Sequence, residues 1–77
     1  MQTESFQSFQ KMLGARIQSI RKTRKLSQEE VGHLLGMDRV SIGYIEQGKR
    51  APKLSTLHAL SKVFDVDIRE FFDFPGK

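Results

Sequence analysis

Cysteine is absent from the 77 residues, which excludes disulfide bonds and every cysteine-based zinc finger. No apolar run approaches the ~20 residues that a membrane-spanning helix needs. Residues 1–10 lack the basic start and apolar stretch of a secretory signal, so a cytoplasmic protein is expected. His33 and His58 stand far apart without carboxylates or cysteines at metal-ligand spacing, and neither a metal nor any other cofactor is expected. A glycine-rich phosphate loop, a nucleophile beside a base and a carboxylate pair in a catalytic frame are all missing, so no enzymatic activity is expected. Strand-like alternation, internal repeats and low-complexity tracts are missing as well, which leaves an all-α chain with room for one small domain.

Charge is present, and it is unevenly placed. The net charge is +4. Between Arg16 and Lys53 nine basic residues face four acidic ones, whereas after Lys53 three basic residues face four acidic ones. The positive field therefore belongs to the first two thirds of the chain, as in a surface that approaches phosphates. Lys22, Arg24 and Lys25 have a second reading, as cations that solvate the end of a helix and complement its dipole.

Apolar periodicity divides the chain into five helical segments. Leu13, Ile17 and Ile20 recur at i, i+4, i+7 and predict helix 1 from about Ser8 to Arg24, after a polar N-terminal segment 1–7 that frays. Ser27 precedes Gln28-Glu29-Glu30 in a capping-box arrangement, which opens helix 2, Gln28 to Leu35. Asp38 caps helix 3, Arg39 to about Gln47, which Gly48 ends. Pro52 disfavours helix at Ala51, and Ser55 is expected to cap helix 4, ending near Asp65. Asp67 caps a short helix 5, Ile68 to Phe72, leaving 73–77 as a tail or the start of a linker. The expected core is Leu13, Ile17, Ile20, Leu26, Val31, Leu34, Leu35, Met37, Ile42, Ile45, Leu54, Leu57, Leu60, Phe64, Val66, Ile68 and Phe71.

Helices 2 and 3 carry the most information. Val31, Leu34 and Leu35 give the first an apolar face, and Ile42 with Ile45 gives one to the second. Gly36 falls where a left-handed residue stops helix 2, and Asp38 restarts the chain two residues later. So short a break makes two helices cross steeply over a shared core and leaves one face of the second helix free. Arg39, Val40, Gly43 and Tyr44 are placed on that face.

On these residues the chain resembles the Cro and phage-repressor-like, or XRE-type, helix-turn-helix regulators. The resemblance runs from Ile17 and Arg21 through Leu26-Ser27-Gln28-Glu29 and Leu35-Gly36 to Ile42, Ile45-Glu46, Gly48-Lys49-Arg50, Pro52, Leu57 and Leu60, covering roughly residues 11 to 72. It implies a compact five-helix DNA-binding domain over residues 8–72 with the helix-turn-helix at helices 2 and 3. It also implies a phosphate-contacting glutamine at Gln28 and a partly buried ion pair between Arg21 and Glu46. Gly43 and Gly32 depart from the pattern, which has a larger residue at the first and alanine at the second.

The chemistry of the remaining candidates follows from residue type. The Arg39 guanidinium matches the O6 and N7 edge of guanine or else clamps a phosphate, and Val40 suits a thymine methyl. Tyr44 either presents a ring and hydroxyl to the groove or its phosphate wall or packs in part against helix 2. Gly43 offers no side chain but lets the helix backbone approach the bases. Ser41, Lys49, Arg50 and Lys53, together with Gln28, are assigned to phosphates. Phe72 and Phe74 fall outside the expected core and are assigned to a dimer interface; Phe6 and Phe9 either join it or close the chain's own core. The expected function is a sequence-specific regulator of transcription, a homodimeric repressor on a pseudo-palindromic double-stranded DNA operator, bacterial or phage-encoded. The competing expectation is a protein-interaction adaptor or antitoxin-like module in which DNA binding is secondary.

Overall fold

Ser5 Oγ accepts a 3.0 Å hydrogen bond from the Ser8 amide and starts α1, Phe6–Thr23, in a computed structural model that describes residues 5–74. Three further α-helices follow, α2 (Gln28–Leu35), α3 (Arg39–Glu46) and α4 (Leu54–Phe64), and then a 3-10 helix, Ile68–Phe72. The fold is therefore all-helical, with no strand among the described residues, and has four α-helices where five were expected. The fifth segment has only five residues between Asp67 and Asp73, too few for a stable α-helix, and closes with the tighter i to i+3 bonding.

Helix α1 begins two residues ahead of the expected Ser8 because Ser5 supplies the cap. Helix α4 also begins early: its N-cap is Lys53, which lends no side-chain acceptor, and Ser55 lies inside the first turn. Asp65 ends α4 in a left-handed conformation with φ 56°. Expectations for residues 1–4 and 75–77 lie outside the described residues. No described helix is long and apolar enough to cross a membrane.

Leu13, Ile17 and Ile20 of α1, Val31, Ile42 and Ile45 of the central pair, and Leu57, Leu60 and Phe64 of α4 form the buried core, closed by Phe71 and Phe74. Leu26, Leu35, Met37, Val66 and Ile68 pack at its edge. Two expected core residues stand outside. Leu34 is 60% exposed, since α2 turns its Val31 and Gly32 side inward and successive residues rotate by about 100°. Leu54 is 76% exposed at the first position of α4.

Phe74, expected at a dimer interface, is instead buried in this chain's own core, edge-on to Phe9 with ring centroids 5.7 Å apart. Aromatic surface at the carboxyl end finds enough partners within the chain when the 3-10 helix folds back on α1, where Arg16 Nε donates to the Glu70 carbonyl at 2.7 Å. Phe72 stacks on Phe9 at 6.3 Å yet stays half exposed.

Candidate nucleic-acid interface

The geometry of α3 is set before any of its exposed side chains matters. Ser27 Oγ accepts from the Glu30 amide at 2.9 Å while Glu30 Oε1 accepts from the Ser27 amide at 2.7 Å, closing both ends of the capping box of α2. Gly36 then takes φ 70°, the left-handed region that glycine occupies without a Cβ penalty. Asp38 Oδ1 accepts from the Ser41 amide at 2.7 Å and starts α3. Those hydrogen bonds from Ser41, with the positive charge of Arg50 nearby, hold the Asp38 carboxyl below its ordinary value of 3.8 against a smaller opposing effect of desolvation.

One face of α3 is buried through Ile42, Ile45 and Glu46. Glu46 is the polar centre of the molecule. Its Oε2 accepts from Arg21 Nε at 2.6 Å, and its Oε1 accepts from Arg21 Nη2 at 3.1 Å, Gln28 Nε2 at 3.0 Å and Gln18 Nε2 at 3.2 Å. Arg21 spends another donor, Nη1, on the Leu26 carbonyl at 2.7 Å. The carboxylate side chain is 1% exposed, a burial that is tolerable only because all these donors converge on it. A single charged group thus joins α1, α2 and α3.

Helix α1 reaches α3 at a point where no side chain fits. A methyl group at position 14 would overlap the Ile45 carbonyl oxygen and stand 2.7 Å from that of Glu46, so Gly14 permits direct backbone contact. Neither Gly14 nor Gln18 was anticipated as part of the site's framework. The spacing of Gln18 and Arg21, three residues apart on one helical face, was the available signal for the second of them.

The opposite face of α3 is open. Arg39 is exposed and makes no hydrogen bond or ion pair with another described residue. Val40 is 53% exposed and Tyr44 38%. Two cations of the following loop lie over the Tyr44 ring, with Arg50 Cζ 5.3 Å and Lys49 Nζ 6.0 Å from its centroid. Arg50 Nη1 also donates to Ser41 Oγ at 3.1 Å. Lys53 is exposed at the end of the same loop. Ser41, Tyr44, Lys49 and Arg50 are therefore brought together, and Arg39, Val40 and Lys53 are exposed on the same helix and loop.

Two candidates are placed differently from expectation. Gly43 is buried, because the carboxamides of Gln28 and Gln47 lie over it; its backbone is not offered to a groove as a bare surface. Gln28 is half-buried and turned toward Glu46, since the carboxylate competes for its amide group more strongly than water does. His33 and His58 are both exposed, and no cluster suited to a metal ion occurs among the described residues.

A short helix capped at Asp38, mounted on a buried ion pair and bare on its outer side defines a helix-turn-helix module. Residues 17–71 match the family model described as helix-turn-helix, and the chain belongs to that family, the XRE-type. It is 41% identical over 64 residues to the HTH-type transcriptional regulator PuuR of Escherichia coli, an alignment that covers 83% of this chain and 35% of PuuR. The chain thus spans about a third of that relative. Among solved structures, the restriction-modification controller protein C.AhdI of Aeromonas hydrophila superimposes with a TM-score of 0.84 at 30% identity, over 90% of this chain and all of that one. The P22 c2 repressor, solved in complex with a synthetic operator, gives a TM-score of 0.73 at 29% identity over 80% of this chain and 94% of that one.

Proposed function

We propose that this chain is a sequence-specific, double-stranded DNA-binding regulator of transcription, a homodimeric repressor that reads the major groove with α3. The observation that carries this reading is the exposed row of Arg39, Val40 and Tyr44 on a helix whose other side is locked, beside a loop of three cations. Arg39 at the amino end of α3 is suited to a guanine edge, Val40 to a thymine methyl and Tyr44 to the groove wall. Ser41, Lys49, Arg50 and Lys53 supply donors and charge for the phosphates on either side. The P22 c2 repressor, similar in fold and solved with a synthetic operator, supports operator binding.

The homodimer draws on a second observation. Phe6, Leu54 and Phe72 are all exposed around a groove of about 250 Å³, with Ala51 and Pro52 on its border. Surface of this kind is stabilised by a partner, and this patch replaces the pair Phe72 and Phe74 as the dimer contact. It adjoins the Lys49 to Lys53 loop, so a second copy seated there brings both basic loops to one side, as two half-sites about one helical turn apart require. A protein-interaction module without DNA reading would use the same patch, and the two readings separate by experiment.

Selection of bound duplexes from a random pool is expected to return a pseudo-palindrome. If a dimer neutralises roughly 8 phosphates, the logarithm of affinity should fall against the logarithm of salt with a slope of about −7. Arg39→Ala should cost ~1–3 kcal/mol of discrimination at one base pair of each half-site without changing the melting temperature. A flat salt dependence, or function intact in Arg39→Ala and Tyr44→Ala but lost on changes at Phe72, would favour the interaction module instead.

A further inference from the structure

Position 43 is an empty place with a roof. A methyl group there would meet nothing nearer than 3.7 Å, yet the residue is buried. The roof consists of Gln28 Nε2 and Oε1, both 3.7 Å from where the methyl would sit, and Gln47 Nε2 at 3.8 Å. The Gln28 carboxamide thus lies over position 43 of α3, where a longer side chain at 43 would have extended.

Its orientation is fixed by chemistry. Glu46 Oε1 is a carboxylate oxygen that only accepts, so Gln28 must turn its nitrogen toward it, as the 3.0 Å hydrogen bond records. One amide hydrogen is committed. The other hydrogen and Oε1 remain, and no donor from another described residue reaches Oε1. A phosphate would use the free hydrogen but leave Oε1 facing an anionic acceptor. An adenine edge uses both, since N7 accepts and N6 donates.

We propose that Gln28 is a base-reading residue for adenine, admitted to the groove by the missing side chain at position 43 and held in orientation by Glu46. This rests on the DNA-binding reading above. It adds a fourth specificity residue, contributed by α2 rather than α3, to Arg39, Val40 and Tyr44.

The test compares base preferences selected from a random duplex pool by the full chain and two variants. Wild type is expected to select adenine at one position of each half-site. Gln28→Met keeps the length of the side chain and loses both hydrogen-bonding groups; discrimination at that position should fall by roughly 5- to 150-fold, with the other positions unchanged. Gly43→Leu fills the empty place with a side chain that has no hydrogen-bonding group, leaves the hydrogen bonds to Glu46 available and should weaken the adenine preference at the same base pair. A phosphate contact is identical for every sequence and cancels in the ratio between bases. An equal loss of affinity for all four bases in Gln28→Met, or an unchanged adenine preference in Gly43→Leu, overturns the proposal, and if Gln28→Met fails to fold, Gly43→Leu decides. A wild-type chain without any sequence preference would instead overturn the DNA-binding reading itself.

Discussion

Glu46 and Leu54 lie eight residues apart and occupy the wrong environments for their types. The carboxylate is 1% exposed while the leucine is 76% exposed. At the junction of α1, α2 and α3, a costly group is buried and every demand it makes is met inside the chain by Arg21, Gln18 and Gln28. At the other site, beside Phe6 and Phe72, apolar surface is left exposed by the described residues. Burial there stays incomplete among the described residues, whereas the buried charge is fully matched. The difference separates what the fold needs for itself from the surface proposed above as a partner contact.

Removing Glu46 tests the first half of that contrast and should have the largest effect. Glu46→Ala leaves Arg21 buried without its counter-charge, which is expected to cost ~3–5 kcal/mol and lower the melting temperature by at least about 10 °C. An unchanged melting temperature would mean that water reaches Arg21 in the folded state. Leu54→Asp tests the second half. The exposed position should change monomer stability by no more than about 0.5 kcal/mol, while sedimentation should show a dimer converted to monomer. A variant that stays dimeric would move the partner contact elsewhere.

Asp38 belongs to neither extreme, being exposed but hydrogen-bonded, and its effect should be the smallest. Its carboxyl is held below 3.8 in the folded state by the Ser41 hydrogen bonds, so the stability it lends is present above that pH and lost as pH falls through the lowered value. The melting temperature of Asp38→Ala should therefore lie below that of wild type at neutral pH, and the gap should close in strong acid. A gap that persists there would assign the cap's contribution to the backbone rather than the charge.

Much of the fold is legible in the sequence because capping is local. Ser27, Gly36, Asp38 and Asp67 act on amides within a few residues of themselves, and the ends they mark are where the structure has them. Leu34 and Leu54 misled because periodicity ranks residues by type, while the width of the buried stripe depends on which helices lie opposite. Phe74 misled for the converse reason, since its partner Phe9 is 65 positions away and nothing near Phe74 announces it. At the candidate site, Arg39, Val40 and Tyr44 are exposed, as the free face of a helix-turn-helix requires. The cover over Gly43 depends on where Gln28 reaches from another helix, and spacing along the chain carries no trace of it.

The backbone contact at Gly14 bears on how such a chain can be retargeted. The carboxyl end of α3 rests on α1 through atoms that every residue carries, so its axis does not depend on what stands at 39, 40 or 44. Libraries varied at those three positions would test the proposed reading face on an unaltered mount. A single methyl added at 14 would tilt all three together.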